Sequence, residues 1–190
     1  MEFEGQNVLV LGLGVSGRSA ANYLAARGAR VVAADERPLE AISGLDELGA
    51  EIDLRVGAPF PDFDDHDLIV PSPGVPAARF ADCTAPIRGD IELCARALPI
   101  PIIAVTGTNG KSTVVKLIEA MASAAGLRAR AAGNVGLPAL ELVGEPLDLA
   151  ILEVSSFQLE SVDSFAPRTA MILNISPDHL DRHGDLAGYR

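Results

Sequence analysis

Ile100–Val105 (IPIIAV) runs directly into Thr106-Gly-Thr-Asn-Gly-Lys-Ser-Thr113, and a helical pattern begins at once. Strand, glycine turn and helix in that order are what a phosphate cradle requires. Gly107 and Gly110 let backbone N–H groups converge on an anion, Lys111 adds a mobile positive charge, and the Ser112 and Thr113 hydroxyls can face a magnesium ion. Composition points the same way: the chain has 13 Arg but only two Lys, Lys111 and Lys116, and one of that pair sits in this loop. An ammonium reaching into a phosphate cluster is not replaceable by a planar guanidinium. The spacing departs from GxxxxGK[ST], with Val105 where the first glycine would stand. A glycine turn that merely caps a helix is the alternative; the strand before it and the amphipathic helix after it favour nucleotide binding.

Outward from the loop, the pattern alternates strand and helix. A helix is predicted over 111–125 with Val114, Ile118, Met121 and Ala125 as its buried stripe, and strands over Arg128–Ala132, Leu147–Leu152 and Thr169–Leu173. Ser176 reads as an N-cap with Pro177 at the first helical position. The loop at 107–113, Glu153-Val-Ser155 and the segment 174–179 fall at the carboxyl ends of these strands, where parallel sheets gather their functional residues. Glu153, closing an apolar strand, has the place of a magnesium-associated acid. His179, just past a strand end, is a site candidate; His183-Gly184 reads as a helix end with a surface histidine, and His66 as solvated.

The first part of the chain repeats the alternation. Asn7–Leu11 is a predicted strand, followed by Gly12-Leu-Gly-Val-Ser-Gly17, a helix to about Arg27 closed by Gly28, and a strand Arg30–Ala34 ending at Asp35. Strands are also expected at Glu51–Val56, at Asp67–Val70 before Pro71-Ser-Pro-Gly74, and briefly near Ala85–Arg88; Gly89-Asp90 opens a helix to about Ala97. A domain boundary is expected close to Gly89. Gly12, Gly14, Gly17 and Asp35 match the dinucleotide fingerprint, which points first to NAD, although the same turn holds other pyrophosphates or a uridine nucleotide.

The whole chain is 190 residues with 48% hydrophobic residues and 18 glycines, suited to a buried α/β sheet with tight turns. No apolar run approaches the ~20 residues of a membrane span, and acidic residues near the start stand where a signal peptide needs basic ones, so a cytoplasmic protein is expected. A net charge of −11 argues against nucleic acid or anionic lipid as partner. Cys83 and Cys94 form no CxxC and imply neither zinc nor a disulfide framework.

Together, GTNGKST at 107–113, GNVGLPAL at 133–140, LEVSSFQLE at 152–160 and LNISPDHLDRHG at 173–184 resemble the Mur ligases, the cytoplasmic amide-bond ligases of peptidoglycan precursor synthesis. GLGVSG, SPGV, GDIEL and SSFQLE are most similar to the D-glutamate-adding members. The resemblance implies an α/β fold: a Rossmann-like domain over 1–89 that binds the UDP substrate, then the front half of a P-loop ATPase domain over 90–190. It moves the first glycine turn from NAD to UDP-N-acetylmuramoyl-L-alanine, implying contacts from Val15, Ser16, Asp35, Glu36, Arg37, Ser72, Pro73 and Gly74. It assigns ATP to Gly107, Thr108, Asn109, Gly110, Lys111, Ser112 and Thr113, places Asn134 and Ser155 near substrate and phosphate, and gives Mg2+ to Ser112, Glu153 and His179. Lys111, Glu153 and His179 are the implied catalytic residues.

The implied reaction is phosphorylation of the L-alanyl carboxylate by ATP, then attack of the D-glutamate amine on the acyl phosphate, in a monomeric enzyme. The family's magnesium-holding carbamylated lysine, adenine contacts and D-glutamate domain lie beyond residue 190, so a cut chain that is catalytically incomplete is expected. A regulatory NAD- or nucleotide-binding module and a folylpolyglutamate-synthase-like ligase are the alternatives.

Overall fold

The computed structural model describes residues 3–190, which divide into two units, one running to Leu93 and taking in Ser161–Asp163, the other comprising Cys94–Glu160 and Ser164–Arg190. The division falls inside a helix, just past Gly89.

In the first unit, β1 (Asn7–Leu11) leads through the glycine turn into α1 (Val15–Ala25), and β2 (Arg30–Asp35), β3 (Asp53–Val56) and β4 (Leu68–Pro71) follow. The strands form one parallel sheet in the order β3-β2-β1-β4. Period-2 alternation sends Leu9 and Leu11 to one face, where they join Ala34, Ile69 and Phe80 in a buried cluster. Val8 and Val10 are buried on the other face, and α1 packs against β1, β2 and β4. The predicted strand near Ala85–Arg88 reduces to a single bridge between Ile69 and Ile87. Pro86 has no N–H to give, so the ladder there is limited to Ile69 N–H to Pro86 O and Arg88 N–H to Ile69 O.

A helix, α2 (Asp90–Ala97), leads to β5 (Ile102–Thr106) and α3 (Lys111–Ala124). The rest of the second unit includes β6 (Ala129–Gly133), a 3-10 turn at Ala139–Leu142, β7 (Leu149–Glu153), the short α4 (Ser156–Leu159), β8 (Thr169–Ile172), and two single-turn helices, α5 (Leu180–His183) and α6 (Leu186–Tyr189). Its sheet is also parallel, in the order β6-β7-β5-β8. Val105, Val115 and Ile151 make its buried centre, with Val114, Ile118, Met171 and Leu173 packed around them.

Three expectations are corrected here. The buried stripe of α3 is rotated toward Val115, which is 4% exposed, while Met121 is 63% exposed and Ala125 is also exposed. Glu119 lies on the sheet-facing side instead, its carboxylate accepting the Ala131 N–H at 2.7 Å and fixing the helix azimuth. Ser176 is not an N-cap: its backbone N–H and carbonyl are both engaged by the Thr108 hydroxyl, and the helix starts only at Leu180. His183 is not a surface residue, since its side chain is 10% exposed and packs between Phe157 and Tyr189.

Candidate functional site

In the first unit the strand order reverses direction between β1 and β4, and that switch point is where open parallel sheets bind ligands. The glycine turn 12–17 and the Ser72–Gly74 loop meet there: Ser72 donates its N–H to Leu11 O at 2.7 Å and its hydroxyl to Gly12 O at 2.8 Å. Gly17 is required by packing, because a Cβ at that position would lie 1.9 Å from Gly12 O. Val15 and Ser16 open α1 above this turn, and Val15 is exposed.

Asp35 sits at the end of β2 and is buried. Its Oδ1 accepts from the Arg37 N–H at 2.9 Å and Nε at 3.0 Å; its Oδ2 accepts from the Leu13 N–H at 2.8 Å and Arg37 Nη2 at 2.6 Å. A carboxylate offers about four acceptor sites, so Asp35 is saturated and has none left for a ribose diol. Burial pushes its carboxyl upward, but the hydrogen bonds from Arg37 and Leu13 outweigh that and hold it below the usual aspartate value. Glu36, next in the chain, is ion-paired with Arg79.

In the second unit, the register pairs Val105 with Glu153, which sets the acid beside the strand end that feeds the loop. Thr108–Thr113, Asn134, Val135 and Glu153 line one cavity of about 320 Å³. Glu153 is 3% exposed; its Oε1 accepts from Asn134 Nδ2 at 3.1 Å, and among the described residues no hydrogen bond engages its Oε2. Gly133 holds the two strands together, since a Cβ there would lie 2.2 Å from Glu153 O. The loop geometry depends on Gly107 (φ +140) and Gly110 (φ +89), both unfavourable for residues with a Cβ. Lys111 Nζ donates to Gly107 O at 2.6 Å and Thr108 O at 3.1 Å, so its ammonium lies back over its own loop. The first-turn N–H groups of α3 point from Lys111, Ser112 and Thr113 without partners in the helix ladder.

A magnesium ion fits this donor set: one carboxylate (Glu153) and one hydroxyl (Ser112), with phosphate oxygens and water completing the shell, is how that ion is commonly held. Among the described residues no group of three His, Cys, Asp or Glu converges for a tighter metal centre.

Ser155 is an N-cap, accepting the Gln158 N–H at 3.2 Å in a capping box that starts α4 directly after Glu153-Val154. His179 is not among the residues that line this cavity. It has left-handed backbone (φ 49), its side chain is 50% exposed, and its ring lies 4.7 Å from that of Phe157. Arg182 stacks over the same Phe157 ring at 4.4 Å and forks onto Glu160.

Thr108 and Asn109, expected to bind phosphate, have their N–H groups turned to Asn174: Thr108 N–H donates to Asn174 O at 3.0 Å and Asn109 N–H to Asn174 Oδ1 at 2.9 Å. Asn174 was legible only as a strand-end residue; nothing in its spacing announced that its side chain grips the loop.

Comparison with known proteins agrees with these two units. Residues 6–90 match the family described as Mur ligase MurD-like, N-terminal domain, and residues 105–190 match the Mur ligase middle domain. The chain is 42% identical over 191 residues to UDP-N-acetylmuramoylalanine–D-glutamate ligase of Desulfotalea psychrophila, covering 95% of this chain and 42% of that protein. It is 45% identical over 209 residues to the enzyme of the same name from Chromobacterium violaceum, covering 100% of this chain and 45% of that protein. The chain thus spans less than half the length of these curated relatives. Among solved structures, UDP-N-acetylmuramate:L-alanyl-gamma-D-glutamyl-meso-diaminopimelate ligase from Neisseria meningitides superposes with a TM-score of 0.58 at 18% identity, covering 97% of this chain and 65% of that one, a likeness of fold. With both glycine-loop units matched in order along the chain, it belongs to the Mur ligase family, whose N-terminal and middle domains it carries.

Proposed function

We propose that this chain is the nucleotide-binding part of an ATP-dependent ligase that joins D-glutamate to UDP-N-acetylmuramoyl-L-alanine. The observation that carries the reading is the convergence of Lys111, Ser112, Thr113, Asn134 and Glu153 on one cavity at the carboxyl edge of a parallel sheet. The names of the relatives at 42% and 45% identity support the choice of substrates.

Under this reading residues 1–89 bind the uridine nucleotide, and 90–190 bind ATP. Val15, Ser16 and Ser72–Gly74 border the pyrophosphate crevice at the β1/β4 switch. Asp35 orders the turn through Leu13 and presents Arg37, with Glu36 beside it. The N–H groups at the start of α3 meet the ATP phosphates, and Lys111 turns from its loop carbonyls toward them. Magnesium held at Ser112 and Glu153 supplies charge neutralisation between the substrate carboxylate and the triphosphate. Asn134 fixes Glu153 and faces the same space, while His179, on the segment leaving β8, is assigned to the second metal together with Ser155 near the phosphate. The L-alanyl carboxylate oxygen attacks the γ-phosphorus and ADP leaves. The D-glutamate amine then attacks the carbonyl carbon, releasing phosphate and a proton. No helix among the described residues is long and apolar enough to cross a membrane. The reading makes this a monomeric enzyme of the cytoplasm, where ATP and the UDP-linked precursor meet.

The saturated Asp35 favours this reading over an NAD sensor. Calorimetric titration separates the two: heat on adding UDP-N-acetylmuramoyl-L-alanine with none on adding NADH is expected, and the reverse result overturns the assignment of the first unit.

A further inference from the structure

The phosphate loop is fastened along one side. Beyond the ends of β5 and β8 their pairing continues, with Leu173 N–H donating to Thr106 O at 3.0 Å and Thr108 N–H to Asn174 O at 3.0 Å. The Asn174 side chain then closes a two-point bracket on Asn109, Oδ1 accepting its N–H at 2.9 Å and Nδ2 donating to its carbonyl at 2.9 Å. Thr108 adds a second fastening: its hydroxyl accepts the Ser176 N–H at 3.0 Å, donates to Ser176 O at 3.2 Å and lies 3.1 Å from the Tyr189 hydroxyl. That set uses one donor and two acceptor positions, the full capacity of a hydroxyl.

Resting on the reading of 107–113 as a polyphosphate loop, we propose that Asn174 is the positioning residue of that loop. Two glycines at positive φ make the loop conformationally loose, and an unfastened loop has to be ordered at the moment of binding. The Asn174 carbonyl takes the Thr108 N–H and the side-chain bracket takes the Asn109 N–H, and together they decide which donors remain. Phosphate contacts come from the α3 end, Lys111–Thr113, and the first half of the loop is scaffold. The bracket is exposed, so water replaces it when it is removed and the fold itself loses little. Affinity for nucleotide carries the loss instead.

The test is titration of the full-length protein with MgADP, comparing wild type, Asn174→Ala and Lys111→Ala, with melting temperatures measured without nucleotide. Asn174→Ala is expected to weaken MgADP about tenfold while the melting temperature stays within about 2 °C, a split that a purely structural role would not produce. In turnover assays the same variant raises KM for ATP with a smaller effect on kcat. Should the variant melt early, amide exchange in the wild type still decides: the Asn109 N–H exchanges more slowly than the Ser112 N–H if the bracket exists in solution. Wild-type affinity in Asn174→Ala, or equal exchange at 109 and 112, overturns the proposal. If Lys111→Ala abolishes binding while Asn174→Ala does not, the loop reading survives and only the role of Asn174 falls; if wild type ignores MgADP, both fall.

Discussion

Asn134 is joined to Glu153 twice, its N–H donating to Glu153 O at 2.9 Å and its Nδ2 to Glu153 Oε1 at 3.1 Å. The backbone link continues the pairing of β6 with β7; the side-chain link leaves Glu153 Oε2 for a ligand. Glu153→Gln preserves both links and removes the charge. The fold is expected to keep its melting temperature within about 2 °C, whereas the Mg2+ enhancement of ATP binding, read by titration with and without the ion, should disappear.

Lys111→Arg tests whether charge alone suffices. The ammonium reaches two loop carbonyls, at 2.6 and 3.1 Å, in a space that a planar guanidinium does not share. ATP affinity is expected to fall about a hundredfold, ~3 kcal/mol, with folding unchanged. Equilibrium binding of a fluorescent ATP analogue measures it.

Gly17→Ala drives a Cβ to 1.9 Å from Gly12 O and 2.5 Å from Ser72 Oγ. Since the contacted atom is backbone, α1 has to move away from the turn. Chemical denaturation should report a loss of about 3 kcal/mol, and affinity for the uridine nucleotide should fall with it.

Asp35 gives a pH dependence with a definite sign. Its folded carboxyl titrates below the ordinary aspartate value of 3.8, so its stabilising contribution is complete above that value and is lost as the pH falls through the lower folded one. Asp35→Asn removes the contribution. The stability gap between wild type and variant, from urea unfolding, is expected to be widest well above the ordinary aspartate value of 3.8 and to close as the pH falls through the lower folded one. Asp148, held at about 2 by hydrogen bonds from Arg128, adds its own acid sensitivity, but to both proteins equally.

Much of this molecule was legible from local pattern. The strand before Thr106, the helix starting at Lys111 and both glycine turns follow from period, glycine placement and apolar runs, which are properties of neighbouring residues. Glu153 could be picked out because it ends such a run. What escaped was decided across the sheet. The azimuth of α3 depends on Glu119 meeting the Ala131 N–H, and so Met121 faces outward despite its helical spacing. Ser176 carries a strong capping signal, yet Thr108, far away in sequence, takes its backbone groups first. The hold of Asn174 on Asn109 is likewise a product of β5 and β8 lying side by side, and no composition or spacing encodes it.

Among the described residues His179 is the only non-glycine with positive φ. A side chain in that conformation costs about 1 kcal/mol relative to glycine, so the backbone alone would be better served by a residue without a Cβ in place of the imidazole. His179→Gly should therefore yield a sturdier protein and a poorer enzyme. If both outcomes are found, the ring is retained for a ligand; a sturdier variant of unchanged activity assigns it to its packing on Phe157 alone.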